Sequence, residues 1–204
     1  MKMSFYPKLA WTGMRSNRKL YLPYLITCIS MVAMLYIVGY LSGAEAVRHL
    51  PGGQFIQESL GLGVWIIALF AGLFLVYSSS FLMRRRKKEF GLYNILGMGK
   101  GHLGMVVFWE TVMTAVISIS GGLVAGIMLS KLSELCIVNS VGGEVDYSLT
   151  ISGRSVITAC IVFAVIFLVI MVKSLWQIRR TNAINLLKSE NVGEKLPRMY
   201  WFWG

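Results

Sequence analysis

Four stretches without a single charge divide the chain: Leu20–Ala44, Ser59–Met83, Thr111–Ser130 and Ser155–Val172. A bilayer core of about 30 Å is crossed by roughly 20 helical residues. The pattern therefore predicts an all-α integral membrane protein with four transmembrane helices, over 21–41, 59–83, 103–130 and 155–173. The third extends back to Leu103 only if Glu110 is tolerated inside the membrane. The second window exceeds the hydrocarbon thickness at 1.5 Å per residue, so it must tilt or project. With no breaker before Gly91, Arg84–Lys88 is expected to continue the same helix beyond the bilayer.

The segments between the windows read differently. Residues 1–20 set Phe5, Leu9, Trp11 and Met14 among Lys8, Arg15, Arg18 and Lys19, the pattern of a short helix lying in the membrane interface. Pro23 is expected within the first turn of the first span, where its missing N–H costs least. Gly43–Glu58 is a short loop with Pro51-Gly52-Gly53 as its turn signal. Within the third span, Gly122 and Gly126 form a small-xxx-small pair, the spacing that lets two helices approach closely. Lys131–Arg154 reads as a second exposed loop. In 174–204, Thr181-Asn182 is a helix-cap signal before a short amphipathic turn, and MYWFWG resembles the aromatic belt at the entry to a further span. A chain ending there is expected to be part of something longer.

Composition agrees with the pattern: 56% of the 204 residues are hydrophobic, 14% are charged, and mean hydropathy is +0.65. The net charge of +11 would suit nucleic acid, but its distribution points to a membrane instead. With both termini cytoplasmic, 17 of the 20 Lys and Arg residues fall on the inner side and only Arg48, Lys131 and Arg154 outside, as the positive-inside rule requires. The basic excess then faces anionic membrane lipid. No nucleic-acid partner is expected.

Candidate chemistry is sparse. Gly99-Lys100 lacks the other residues of a phosphate loop, since Asn94 and Gly101 occupy the positions of its first Gly and its Ser or Thr. No catalytic triad or carboxylate pair occurs, and His49 and His102 fall on opposite sides of the membrane. Cys28, Cys136 and Cys160 form no CxxC, so no metal and no disulfide is assigned. The sequence thus predicts no enzyme. What stands out is Arg84–Gly99, RRRKKEFGLYNILGMG. Arg84, Arg85, Arg86, Lys87 and Lys88 form a stalk that also serves as a membrane stop. The apolar segment Phe90–Met98 either floats in the interface or inserts into a groove on a cytoplasmic partner. Glu110 is an intramembrane acid, costly unless paired, and a cation at the foot of span two such as Arg84 is the expected partner.

RRRKKEFGLYNILGMGKGHLGMVVFWE resembles the FtsX-like permease family of ABC transporters, in which a basic stalk, an EFGL-type segment, a small LG segment and a Glu in the next helix recur together. The similarity is specific over Arg84–Glu110 and looser over spans two to four, so that 59–173 would be the FtsX-like domain. KLAWTGMRSNRKLYLPYLIT and NAINLLKSENVGEK are similar to the bacitracin-export subgroup, as is the short connection between spans one and two. The resemblance implies that Glu89, Phe90, Gly91, Leu92, Tyr93, Leu96, Gly97 and Met98 form a coupling helix at 90–98. That helix would dock on a separate, dimeric ATP-binding subunit, which would hold ATP and Mg. It further implies a bacterial cytoplasmic-membrane location, ATP-driven handling of an antimicrobial peptide or a lipid-linked substrate that gives peptide-antibiotic resistance, and a membrane histidine kinase as a further partner. The rival class is a non-transporting membrane scaffold or a regulator of such a kinase.

Overall fold

Each apolar window falls, to within one residue, inside a longer helix. The computed structural model describes residues 5–48, 52–86, 89, 91, 98–141 and 151–180. Its elements are α1 (Phe5–Ser16), α2 (Arg18–Gly43), α3 (Glu45–Arg48), α4 (Gly53–Arg85), α5 (Lys100–Val141) and α6 (Gly153–Arg180). The described residues contain no strand. The helices α2, α4, α5 and α6 are long and apolar enough to cross a membrane.

The helix ends correct several expectations. Helix α2 begins at Arg18 because Arg18 and Lys19 continue the helix out of the apolar window. Pro23 consequently lies inside it rather than in its first turn. Helix α4 ends at Arg85, with Arg86 as its C-cap at φ −93° and ψ 4°, so the stalk does not continue the helix unbroken. The loop expected from Lys131 starts later, because α5 runs on to Val141. Lys131 and Glu134, three residues apart on one face, form an ion pair at 3.1 Å that lets the helix carry its charges inward. The expected loop at 43–58 is mostly helix, α3 and the first turns of α4, joined across a turn at Gly52. There φ is +74°, a left-handed conformation that glycine adopts at no steric cost. Next to it, a Cβ on Gly53 would collide with the carbonyls of Val47 and Arg48. Lys87, Lys88, Phe90, Leu92, Tyr93, Leu96, Gly97 and the tail from Thr181 lie outside the described residues.

The packing order follows from which residues meet. Ile29, Val32 and Tyr36 of α2 face Gly121, Gly122 and Gly126 of α5 in the same order, so these two helices run parallel. Gly39 meets Val64 and Ser155, while Gly104 meets Leu175, so α4 and α6 run the other way. α2 packs against every other described helix, and α6 against α2, α4 and α5. α4 and α5 do not pack backbone to backbone, which places them on opposite flanks of an α2–α6 centre. The main core is built from Cys28, Val32 and Leu35 of α2, Ala71 and Leu75 of α4, and Phe163 and Ile166 of α6. α4 turns Trp65, Phe70, Leu73 and Tyr77 outward. In lipid an apolar outer face is stable and needs no further cover, because lipid tails are as apolar as these side chains.

Between the spanning helices the tightest glycine contact is at Gly122. A Cβ there would overlap the Val32 side chain and lie 2.8 Å from the Ile29 carbonyl oxygen; one on Gly126 would sit 3.0 Å from the Tyr36 ring. Replacing Gly122 with Ala is expected to destabilise the α2–α5 contact by about 1–3 kcal/mol through overpacking. Gly61→Ala, where a Cβ meets nothing within 4 Å, should be close to neutral. Thermal unfolding in mild detergent micelles measures both; equal effects would rule out the glycine contact as the source.

Candidate functional site

Where α4 leaves the bundle, its last turn meets α1, α2 and α5 around one side chain. Arg86 is 2% exposed, the largest fully buried side chain among the described residues. Its Nη1 donates to Glu110 Oε1 at 2.6 Å and to the Tyr21 hydroxyl, and its Nε donates to Glu89 Oε2 at 3.1 Å. The guanidinium also lies over the face of Tyr21, 5.3 Å from the ring centroid. Glu89 in turn accepts from Asn17 Nδ2 at 2.6 Å. Asn17 is the single residue between α1 and α2. α1 closes the site from the side, where a Cβ on Gly13 would stand 3.3 Å from Arg86 Nη2.

The local sequence accounts for this arrangement. Because the helix stops at Arg85, the side chain of Arg86 can turn inward while Arg84 and Arg85 remain exposed. The cation paired with Glu110 is therefore Arg86 and not Arg84. Glu110 is 4% exposed, and an ionised carboxylate so placed is tolerable only with a partner of opposite charge. Burial opposes the charge of the Arg86 guanidinium, but Glu110, Tyr21 and Glu89 outweigh it and hold the group above its ordinary value. A cavity of about 30 Å³ adjoins Glu110. All four spanning helices give it hydroxyl-bearing residues, namely Tyr24, Ser79, Thr111, Thr114 and Ser174.

The sequence-derived site residues are thus partly assembled. Arg86, Glu89 and Glu110 come together. Gly91 is buried and Met98 half-buried, while the rest of the 90–98 segment lies outside the described residues. Gly122 and Gly126 lie further along α5, in the α2 contact. Tyr21 and Asn17 escaped the sequence reading, because a Tyr and an Asn near the end of a span look like ordinary interface residues. A second cluster was also missed. At the opposite end of the α2–α5 pair, Tyr40 donates to Glu134 at 2.8 Å and Lys131 donates to the same carboxylate oxygen at 3.1 Å. The spacing of Lys131 and Glu134 was the available signal. No His, Cys, Asp and Glu cluster able to hold a metal occurs among the described residues.

Comparison with known proteins adds a family. Residues 61–183 match the model described as FtsX-like permease C-terminal. The chain is 26% identical over 191 residues to the "Uncharacterized ABC transporter permease YvcS" of Bacillus subtilis, covering 93% of this chain and 30% of that protein. It is 26% identical over 200 residues to the "Bacitracin export permease protein BceB" of the same organism, covering 96% and 30%. With BceB of Halalkalibacterium halodurans the identity is 22% over 174 residues, covering 85% and 27%. The chain therefore spans about three tenths of the length of these relatives.

Removing one member of the buried pair is expected to cost more than removing both. Arg86→Met leaves the Glu110 carboxylate buried without its cation and should destabilise by about 3–5 kcal/mol. The double variant Arg86→Met/Glu110→Leu should recover a large part of that loss. Thermal unfolding of the four members of the cycle decides the matter, and simple additivity would mean that the two side chains are not coupled.

Proposed function

The chain belongs to the FtsX-like permease family, and from that premise we propose that it acts as the membrane-spanning permease subunit of an ABC transporter. ATP would be hydrolysed by a separate ATP-binding subunit, with Mg held there and not on this chain. On this reading residues 90–98 would serve as the coupling helix that docks on that subunit. The bundle end carrying Arg86 faces the cytoplasm, because the basic residues gather there. The handled substrates are antimicrobial peptides or lipid-linked molecules, and the outcome is peptide-antibiotic resistance; the bacitracin-export names of two relatives support this. A membrane histidine kinase is a further partner on this reading.

The observation that carries the proposal is the linkage through Arg86. A docking segment transmits work only if a stiff connection leads from it into the spans. Glu89, directly before Phe90, is held by Asn17 at the start of α2 and by Arg86 at the end of α4. Arg86 passes the connection to Glu110 on α5. A push on 90–98 would therefore reach three spanning helices at once through short, charge-assisted bonds.

Two variants separate docking from transmission. Tyr93→Asp should abolish co-purification of the ATP-binding subunit from gently solubilised membranes. Asn17→Ala removes the bond to Glu89 and should leave the subunit bound while lowering the antibiotic resistance of cells several-fold. If Tyr93→Asp leaves the subunit bound, the segment is not the coupling helix. Recovery of the wild-type protein with no ATP-binding subunit would favour a scaffold or kinase regulator.

A further inference from the structure

A lateral groove of about 430 Å³ opens between α5 and α6 at the Arg86 end of the bundle. Gly101 and Gly104 form one wall and contribute no side chains, with Phe108 continuing it. Leu175 and Ile178 of α6 form the opposite wall, and Arg179 stands exposed at the rim. A Cβ on Gly101 would meet nothing within 4 Å, and one on Gly104 only the Leu175 side chain at 3.5 Å. The absent glycine side chains are what make the trough.

Charge selects its occupant. The described acids at this end, Glu89 and Glu110, are both bound to Arg86, so their negative charge is directed into the bundle and not toward Arg179. The trough itself is lined by apolar side chains and glycine backbone, and a ligand filling it gains by being apolar over most of its length. A guanidinium at the rim matches the geometry of a phosphate, which it can engage through two parallel hydrogen bonds. We propose that the groove binds an anionic phospholipid, with an acyl chain lying over Gly101 and Gly104 and the phosphate on Arg179. Lys173 does not serve this site. It lines a separate groove on α6 together with Trp176.

The test uses the full chain, purified in mild detergent and offered equal amounts of phosphatidylglycerol and phosphatidylcholine, with bound lipid counted by native mass spectrometry. The wild-type protein should retain phosphatidylglycerol preferentially. Arg179→Gln should lower that preference about fivefold, the size of one cation's attraction to an anionic headgroup, and Lys173→Gln should leave it unchanged. Gly101→Leu fills the trough without a backbone clash and should lower retention of both lipids. No preference in the wild type, or an equal loss in Arg179→Gln and Lys173→Gln, would overturn the proposal. A photoreactive residue in place of Met105, which lines the groove and is exposed, should give a lipid adduct. A cross-link to a protein segment instead would show that the groove is a helix-docking surface.

Discussion

A guanidinium withdrawn from water must be surrounded by partners, and that requirement organises one end of this bundle. Arg86 is reached by Tyr21, Glu89 and Glu110, and Asn17 completes the ring by holding Glu89. Asn17 and Tyr21 come from the start of α2, Glu89 from the segment after α4 and Glu110 from α5. The charge therefore defines where α1 ends, how α4 terminates and how deep α5 sits. An apolar side chain at position 86 would pack without any of these demands. In a low-dielectric site such a pair is weak evidence for stability, but breaking it by removing one partner is strongly destabilising.

The rest of the bundle complements that fixed point. The glycines of α5 bring it against α2 along the membrane-spanning length, where van der Waals packing rather than hydrophobic burial drives helix association. Beyond them Tyr40, Lys131 and Glu134 repeat the device, again with a Tyr from α2 and a Glu from α5. The two helices are thus in close contact between two polar clusters and behave as one parallel pair. α6 packs against this pair through ordinary apolar contacts, and so does α4 along its length, but the end of α4 is also tied to α2 and α5 through Arg86.

The same geometry gives the membership in the FtsX-like family a physical content. The family match covers residues 61–183, which include Arg86, Glu89 and Glu110 but not Asn17 or Tyr21. The polar site therefore joins the family domain to the preceding helices α1 and α2. On the proposed function, the segment that receives the push and the helices that carry it are linked within a few ångströms. The groove between α5 and α6 opens at that same end, so lipid and the coupling segment would both act there.

The four helices long and apolar enough to cross a membrane were legible in the sequence. Hydrophobic run length and charge placement are local properties that a bilayer reads almost directly. The cost of burying Glu110 was legible too, as was the need for a cation near the foot of the second span. Which cation it is was not legible. Arg84, Arg85 and Arg86 are chemically identical, and only the point at which α4 stops decides which one faces inward. The continuation of α5 past Ser130 was equally hidden, since Lys131 and Glu134 look like loop residues until Tyr40 is placed beside them. Local sequence determined which residues could enter a membrane; the packing of α1, α2 and α5 decided which polar side chains could follow them, because a buried charge depends on partners distant in the chain.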